Sequence, residues 1–332
     1  MQSTEFLGRI LRPHSPTVLY TCNKWINTEY NSPLNLILEG LKYQRVILLV
    51  GIWWTVEPDI GNPGRLCNWI NCLSREFKNL KVLVCANTII ELETLNSAGA
   101  EAILANQNAF LDERIFHPLD DVCVEFDAIY NAQFLPFKRH ELLEEAEGVA
   151  LIGYNHEADQ QYLKKIARIL NKSHILNYMP DGRRRFLTPA ECNQYYNSSG
   201  VGLCLSAKEG AMYASMEYLM SGLFVVSTAS SGGRDFFFDD DVALIVDDSP
   251  GEIAEAINHV NAKTYSRAQV AESVLEKVFR ERRKFISAID QLISQESNEK
   301  YFIKENWDQI FVNKLLEKSR TNEVIDVCRV CN

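Results

Sequence analysis

Short runs of consecutive apolar residues recur along the chain, with amphipathic stretches between them. Runs of this kind, rich in β-branched residues and bounded by turn formers, predict strands buried on both faces, as in a parallel sheet. In the first part they fall at Thr17–Cys22, Arg45–Ile52, Lys81–Ala86 and Glu101–Ala105, with helices near Pro33–Lys42, Pro63–Asn79 and Thr88–Ser97. A loop rich in charge and proline, Leu111–Asp121, then marks a domain boundary. After it the pattern restarts, with strands expected at Phe126–Asn131, Val149–Gly153, His174–Tyr178, Val201–Ser206, Phe224–Ser227 and Ala243–Val246. Thr188-Pro189-Ala190-Glu191 starts one intervening helix, with threonine as cap, proline in first position and glutamate three on. The tail from Ser266 onward is helical, with Trp307–Leu316 as its expected last element. Strands alternating with helices predict an α/β fold.

One of these strand-to-helix junctions carries candidate chemistry. After the apolar run ending near Leu205, Ser206–Gly210 forms a tight loop and Ala211–Met220 a helix ended by Gly222. In such βαβ units ligands bind beyond the carboxyl ends of the strands. There the N–H groups at the helix start, Ala211 to Ala214, would face an anion such as a phosphate. Glu217 lies about two helical turns beyond Glu209 and is expected on the same face. Ser206-x-x-Glu209 also fits a capping box, in which the glutamate only satisfies a backbone N–H.

Glu209-x7-Glu217 between two buried strands, continued by Tyr218-Leu219-Met220-Ser221-Gly222-Leu223-Phe224-Val225-Val226-Ser227-Thr228, resembles the donor site of retaining GT-B glycosyltransferases of family 4, the glycosyl transferases group 1. In that family the first glutamate contacts the transferred sugar and the second the ribose of the nucleotide. Tyr130-Asn131-Ala132-Gln133-Phe134-Leu135-Pro136-Phe137-Lys138-Arg139 resembles the family segment whose arginine and lysine neutralise the donor diphosphate. Lys138 keeps its place there, whereas Gln133 stands where arginine is expected; Arg139 could take over the missing charge, or the donor could carry fewer charges, as a nucleoside monophosphate sugar would. By position alone Lys138 also fits a solvated surface lysine. The glycine pair of Thr228-Ala229-Ser230-Ser231-Gly232-Gly233-Arg234-Asp235 resembles a third family loop, one that lets backbone approach a ligand closely, and it also fits an ordinary turn. Met212 stands where the family commonly has glycine, and Ala214 and Phe224 where it commonly has proline.

The resemblance implies a GT-B architecture of two Rossmann-like parallel-sheet domains facing a cleft, with a C-terminal helix crossing back to the first. The corresponding domains are 1–120 on the acceptor side, 121–296 for the nucleotide-sugar donor, and 297–332 for the returning helix. The implied donor set is Gln133, Lys138, Arg139, Ser206, Glu209, Gly210, Ala211, Met212, Tyr213, Ala214, Glu217, Gly232 and Gly233. Glu209 and Lys138 are the implied catalytic residues, and Asp112 and His117 join them as candidates from the acceptor side. Trp53 and Trp54, after a strand end, could stack on acceptor sugar rings or belong to the core. Asn108 is a further acceptor candidate, with a surface loop as the plainer reading of its segment. No metal or other cofactor is expected, since the lysine and the helix start would carry the phosphate charge. Asp239-Asp240-Asp241 is read as a solvated turn rather than a metal motif. A sugar-nucleotide epimerase or hydrolase on the same fold, and a catalytically silent sugar-nucleotide or glycan binder, remain the alternatives.

Composition agrees with such an enzyme. With 332 residues and 46% hydrophobic content the chain can build two cores. Its 44 acidic against 34 basic residues, net −10, argue against nucleic acid as a partner. The expected partners are a nucleotide sugar and a glycan or lipid-linked acceptor. Nine cysteines, mostly within apolar stretches, suggest reduced thiols and a cytoplasmic setting, and Cys328-x-x-Cys331 lacks the companions of a metal site. No signal peptide is read at Met1, and no apolar run reaches the roughly 18 residues of a membrane span. Arg183-Arg184-Arg185 could face the donor cleft or an anionic acceptor. The cluster Arg280-Glu281-Arg282-Arg283-Lys284 reads as a solvated helix face, with peripheral docking on the inner face of an anionic membrane as the sharper option.

Overall fold

A computed structural model describes residues 5–23, 32–57, 62–154, 160–179, 181, 183–263 and 265–330. It divides into two compact units, the first made of Met1–Asp112 with Phe279–Asn332 and the second of Glu113–Val278. The break after Asp112 falls within the charged loop, and the return to the first unit begins at Phe279 rather than at 297. Cys331 lies outside the described residues.

The first unit holds strands β1 (Glu5–Arg12), β2 (Thr17–Cys22), β3 (Val46–Gly51), β4 (Leu80–Ala86) and β5 (Ala102–Leu104), with helices α1 (Pro33–Gly40), α2 (Pro63–Glu76) and α3 (Ile89–Ser97) between them. β2 to β5 pair in parallel, and every residue of β2 and β3 is buried, which explains their unbroken apolar sequences. Ser32, Asn62 and Thr88 cap the helices by accepting a backbone N–H, and proline follows the first two caps at the start of the helix. Leu34, Ile37, Leu66, Leu73 and Leu95 pack with Leu19, Leu48, Val50 and Val84 of the strands into one core.

β1 departs from the parallel pattern. It runs antiparallel to β2 and carries two arginines used inside the fold. Arg9 donates to the carbonyls of Ile310 at 2.9 Å, Val312 at 3.0 Å and Lys314 at 2.9 Å. The buried Arg12 donates to those of His14 at 2.7 Å and Pro16 at 2.8 Å.

The second unit contains β6 (Phe126–Asn131), β7 (Val149–Ile152), α4 (Gln160–Lys165), α5 (Ala167–Lys172), β8 (His174–Ile175), α6 (Pro189–Asn197), β9 (Ser199–Cys204), α7 (Tyr213–Met220), β10 (Phe224–Thr228), β11 (Ala243–Val246) and α8 (Pro250–Asn261). All six strands are parallel, in the order β11-β10-β9-β6-β7-β8. Thr188 and Glu191 form the expected capping box at the start of α6.

Helix α9 (Arg267–Ser294) contributes to both units. Val270, Val274 and Val278 form the buried face of its first part, and Phe285, Ile289 and Ile293 that of the rest. Its basic cluster is not a uniformly solvated face. Arg282 is buried, donating to the carbonyls of Ala109 at 2.6 Å and of Leu111 and lying 4.7 Å from the ring centroid of Phe311.

The tail continues as α10 (Phe302–Ile310), β12 (Lys318–Arg320) and α11 (Thr321–Val330). The expected helix Trp307–Leu316 therefore stops at Ile310. The physical reason lies far off in the sequence: Arg9 collects the carbonyls that a continuing helix would need, and Asp112 accepts the Asn313 N–H at 3.0 Å. β12 then pairs antiparallel with the edge of β1, and Val324 and Cys328 of α11 join the core that α1 faces.

Candidate functional site

The second sheet reverses its winding between β6 and β9, because β7 and β8 lie on one side of β6 and β10 and β11 on the far side of β9. At such a switch point the loops leaving the two strands part in opposite directions and open a crevice at their carboxyl ends. The loop after β6 carries Gln133 and Lys138, and the loop after β9 carries Ser206 to Met212.

Lys138 ends a short 3-10 turn, Pro136–Lys138, and is buried. Its Nζ donates to Glu209 Oε2, so the two family-like residues form a nearly buried ion pair. Ser206 Oγ donates to the same carboxylate oxygen at 2.8 Å. The capping-box reading of Ser206 and Glu209 is thereby excluded, since the helix begins seven residues beyond Ser206, at Tyr213. Tyr130 OH donates to the Lys138 carbonyl at 2.7 Å; burial, then the charge of Glu209, pushes its hydroxyl well above the ordinary range.

Because Glu209 lies on a loop, the two glutamates do not share a helical face. Glu217 sits in mid-α7 and accepts from Tyr196 OH at 2.6 Å. The Asn131 side-chain amide donates to Tyr196 OH at 2.7 Å, and the Asn131 N–H donates to Tyr218 OH at 2.6 Å. This relay ties Glu217 to the last residue of β6. Burial, then Glu217, raises the Tyr196 hydroxyl and keeps it a donor. Gly202 lets the Tyr218 ring lie against β9, since a Cβ there would meet Tyr218 Cδ2 at 2.5 Å.

The N-terminal end of α7 carries no side-chain cap at Met212, leaving that end suited to an anion. Gly210 and Ala214 are buried, and Ala211 and Tyr213 half-buried, around it. The Glu209 N–H donates to the Ser231 carbonyl at 3.0 Å, joining this loop to the one that holds Gly232 and Gly233. Gly232 has φ 95°, a conformation that favours glycine.

Arg139 does not present a spare charge. It donates to the Leu205 carbonyl at 2.6 Å and Thr228 Oγ1 at 2.6 Å, and it pairs with Asp248. Gln133 Nε2 donates to Tyr154 OH at 2.7 Å. Sequence reasoning missed Arg234, the fully buried guanidinium beneath the loops. It holds the carbonyls of Ser206 at 2.6 Å and Thr228 at 2.5 Å and pairs with Asp235 at 2.5 Å. Burial alone would lower its pKa, but the bond to Asp235 together with the charges of Cys204, Asp235 and Tyr130 outweighs this and raises it. The one available signal was a charged residue directly after a glycine pair.

The acceptor candidates divide between the units. His117, exposed, belongs to the second, where its backbone is tied to Asn193 at 3.3 Å and Asn197 at 3.1 Å of α6. That end of α6 leads into the start of β9, so His117 sits at the opposite end of the sheet from Lys138 and Glu209. Asp112 is buried in the first unit and holds the tail. Trp53, 42% exposed, and the half-buried Trp54 follow β3, and Asn108 is buried after β5. The Ile52 carbonyl accepts the side-chain amides of both Asn87, at 3.0 Å, and Gln107, so these candidates share one rim of the first sheet. Asp239 to Asp241 form an exposed turn, with Asp239 paired to Lys277. Among the described residues no helix is long and apolar enough to cross a membrane.

Residues 139–284 match the family described as glycosyl transferase-like, a span that includes Glu209, Glu217 and Arg234 and begins one residue after Lys138. No curated protein matches the chain in sequence. Anabaena Alr3699/HepE in complex with UDP is similar in structure, at 15% identity and a TM-score of 0.57 over 82% of this chain and 78% of that one. An E. coli trehalose-6-phosphate structure bound with UDP-2-fluoro glucose is similar at 12% identity and 0.55, over 82% and 72%. AviGT4, a glycosyltransferase involved in avilamycin A biosynthesis, is similar at 12% identity and 0.50, over 79% and 89%. The chain thus has the GT-B fold of two parallel-sheet α/β domains, and the part of it that builds most of the switch-point site is glycosyl transferase-like in sequence.

Proposed function

We propose that this protein is a glycosyltransferase that binds a nucleotide sugar at the switch point of the second unit and passes the sugar to a glycan or lipid-linked acceptor. The observation that carries this reading is the Lys138–Glu209 pair at the carboxyl ends of β6 and β9, beside the uncapped start of α7. The donor's phosphates approach that helix start and Lys138. Glu209, fixed by Ser206, receives hydroxyls of the sugar, and Glu217 those of the ribose. HepE structures hold UDP, UDP with glucose, and UDP-glucose, so UDP sugars are the first donors to test.

Transfer proceeds with retention and without a protein nucleophile. The bond from the sugar C1 to phosphate oxygen breaks, the bond from C1 to the acceptor oxygen forms on the same face, and the acceptor proton passes to the departing phosphate. The protein orients the donor and stabilises charge on the leaving group. Lys138 and the helix start supply that charge, so transfer needs no metal and persists with excess EDTA.

Thermal melting with a panel of nucleotides and nucleotide sugars tests the donor site, because a ligand of the folded state raises Tm. A shift with one nucleotide class that Glu217→Ala abolishes, with Glu217→Gln keeping the fold, supports the reading. No shift with any of them overturns it. With the donor fixed, release of free sugar without acceptor marks a hydrolase, and binding without turnover a silent binder.

A further inference from the structure

Three cations around the switch point are already matched. Lys138 faces Glu209, Arg139 faces Asp248 and Arg234 faces Asp235, while Glu217 adds a carboxylate held by Tyr196. A nucleotide-sugar diphosphate brings more negative charge into this place, and an anion leaving water needs a cationic donor that is not already neutralised. Gln133, at the position where the resemblance expects arginine, offers an amide only.

That amide points to the missing charge. Gln133 Nε2 donates to Tyr154 OH at 2.7 Å, and the Arg184 guanidinium lies 5.6 Å from the Tyr154 ring centroid and 4.2 Å from that of Phe186. Its neighbours in the basic triplet are committed: Arg183 pairs with Asp181 at 2.6 Å, and Arg185 pairs with Glu191. Arg184 has no carboxylate partner among the described residues. Arg184 and Phe186 are both exposed, and a cation–π contact at an exposed site is weak, so leaving the rings costs little compared with a charge-assisted bond to phosphate. Burial raises the Tyr154 hydroxyl, opposed by its bond to Gln133 and by the charge of Arg184.

We propose that Arg184 is a second cation for the donor diphosphate, added to Lys138 and the helix start, doing from the segment after β8 what an arginine at position 133 would do from the loop after β6. The assignment rests on the donor-site reading above. Lys208, exposed in the loop after β9, is the other candidate cation, but no contact ties it to Gln133 or Tyr154.

The test uses the full chain and whichever of UDP, GDP, ADP and dTDP binds it best, together with the matching nucleoside measured by displacement. Arg184→Ala is expected to weaken the diphosphate about 10- to 100-fold, that is about 1.4 to 2.8 kcal/mol, while changing the nucleoside less than threefold. Adding Gln133→Arg to Arg184→Ala restores most of the loss, which a merely structural role would not allow. Equal losses for diphosphate and nucleoside would instead place Arg184 on the base and overturn the proposal. So would unchanged affinity in Arg184→Ala, or a phosphate-specific loss carried by Lys208→Ala. If the unmodified protein binds none of the panel, the donor-site reading itself fails, an outcome distinct from binding that ignores Arg184.

Discussion

At the residue scale, the Lys138–Glu209 pair is the costliest element of the site. Both side chains are largely withdrawn from water, at 8% and 11% exposure, so removing one partner strands the other. Lys138→Met is expected to cost about 3–5 kcal/mol in urea unfolding of the second unit, with Lys138→Met/Glu209→Gln recovering part of it. His140, two positions on, gives a pH signature. It is buried against the rings of Tyr130 and Phe134, and burial, with a smaller push from Lys138, lowers its pKa from 6.5 to about 3. A base whose folded pKa is depressed takes its proton first in the unfolded chain. Stability is therefore full above about pH 6.5 and falls toward pH 3. From pH 7.5 to 5 the loss is about 2 kcal/mol, and His140→Phe should abolish that share of the slope. The site was only partly legible in sequence. Lys138, Glu209 and Glu217 could be picked out by their motif. Their actual contacts could not, because they depend on which strands flank the switch point. Arg234 was silent because a buried arginine leaves no periodic trace.

At the element scale, the seating of α7 depends on Gly202. A side chain there would force Tyr218 outward and with it the hydroxyl that receives the Asn131 N–H. Gly202→Ala is expected to lose about 1–3 kcal/mol of stability and to weaken the thermal shift given by the donor, both read in one melting series. The buried parallel strands were legible because both faces demand apolar residues, and β2, β6 and β11 fall where their apolar runs stand. β1 was not, since its sequence Glu5-Phe6-Leu7-Gly8-Arg9-Ile10-Leu11-Arg12 interrupts the apolar run with working arginines. β12, Lys318-Ser319-Arg320, has no apolar residue and is held by backbone pairing with β1 and by the Lys318–Glu5 ion pair at 2.8 Å. The end of α10 was misread because a bond from Arg9, some three hundred positions earlier, decides it.

At the scale of the molecule, the two units differ in how the chain enters them. The second is one continuous stretch, whereas the first is assembled from both ends of the sequence. The tryptophans among the described residues, Trp53, Trp54, Trp69 and Trp307, fall in the first, so their fluorescence follows that unit. Removing the chain beyond Leu316 would bare the edge of β1 and withdraw Val324 and Cys328 from the core at α1. The fluorescence transition in urea should then shift to lower denaturant or vanish, while the melting shift given by the donor to the second unit survives. The closing of β1 by β12 also bears on synthesis. Domains usually fold in the order in which the ribosome delivers them. Here β1 must wait, with an open sheet edge, until β12 emerges, and the second unit can mature before the first does. A stalled or shortened message would thus release a finished second unit joined to an unfinished first one, which marks β1 as the place a chaperone would have to shield.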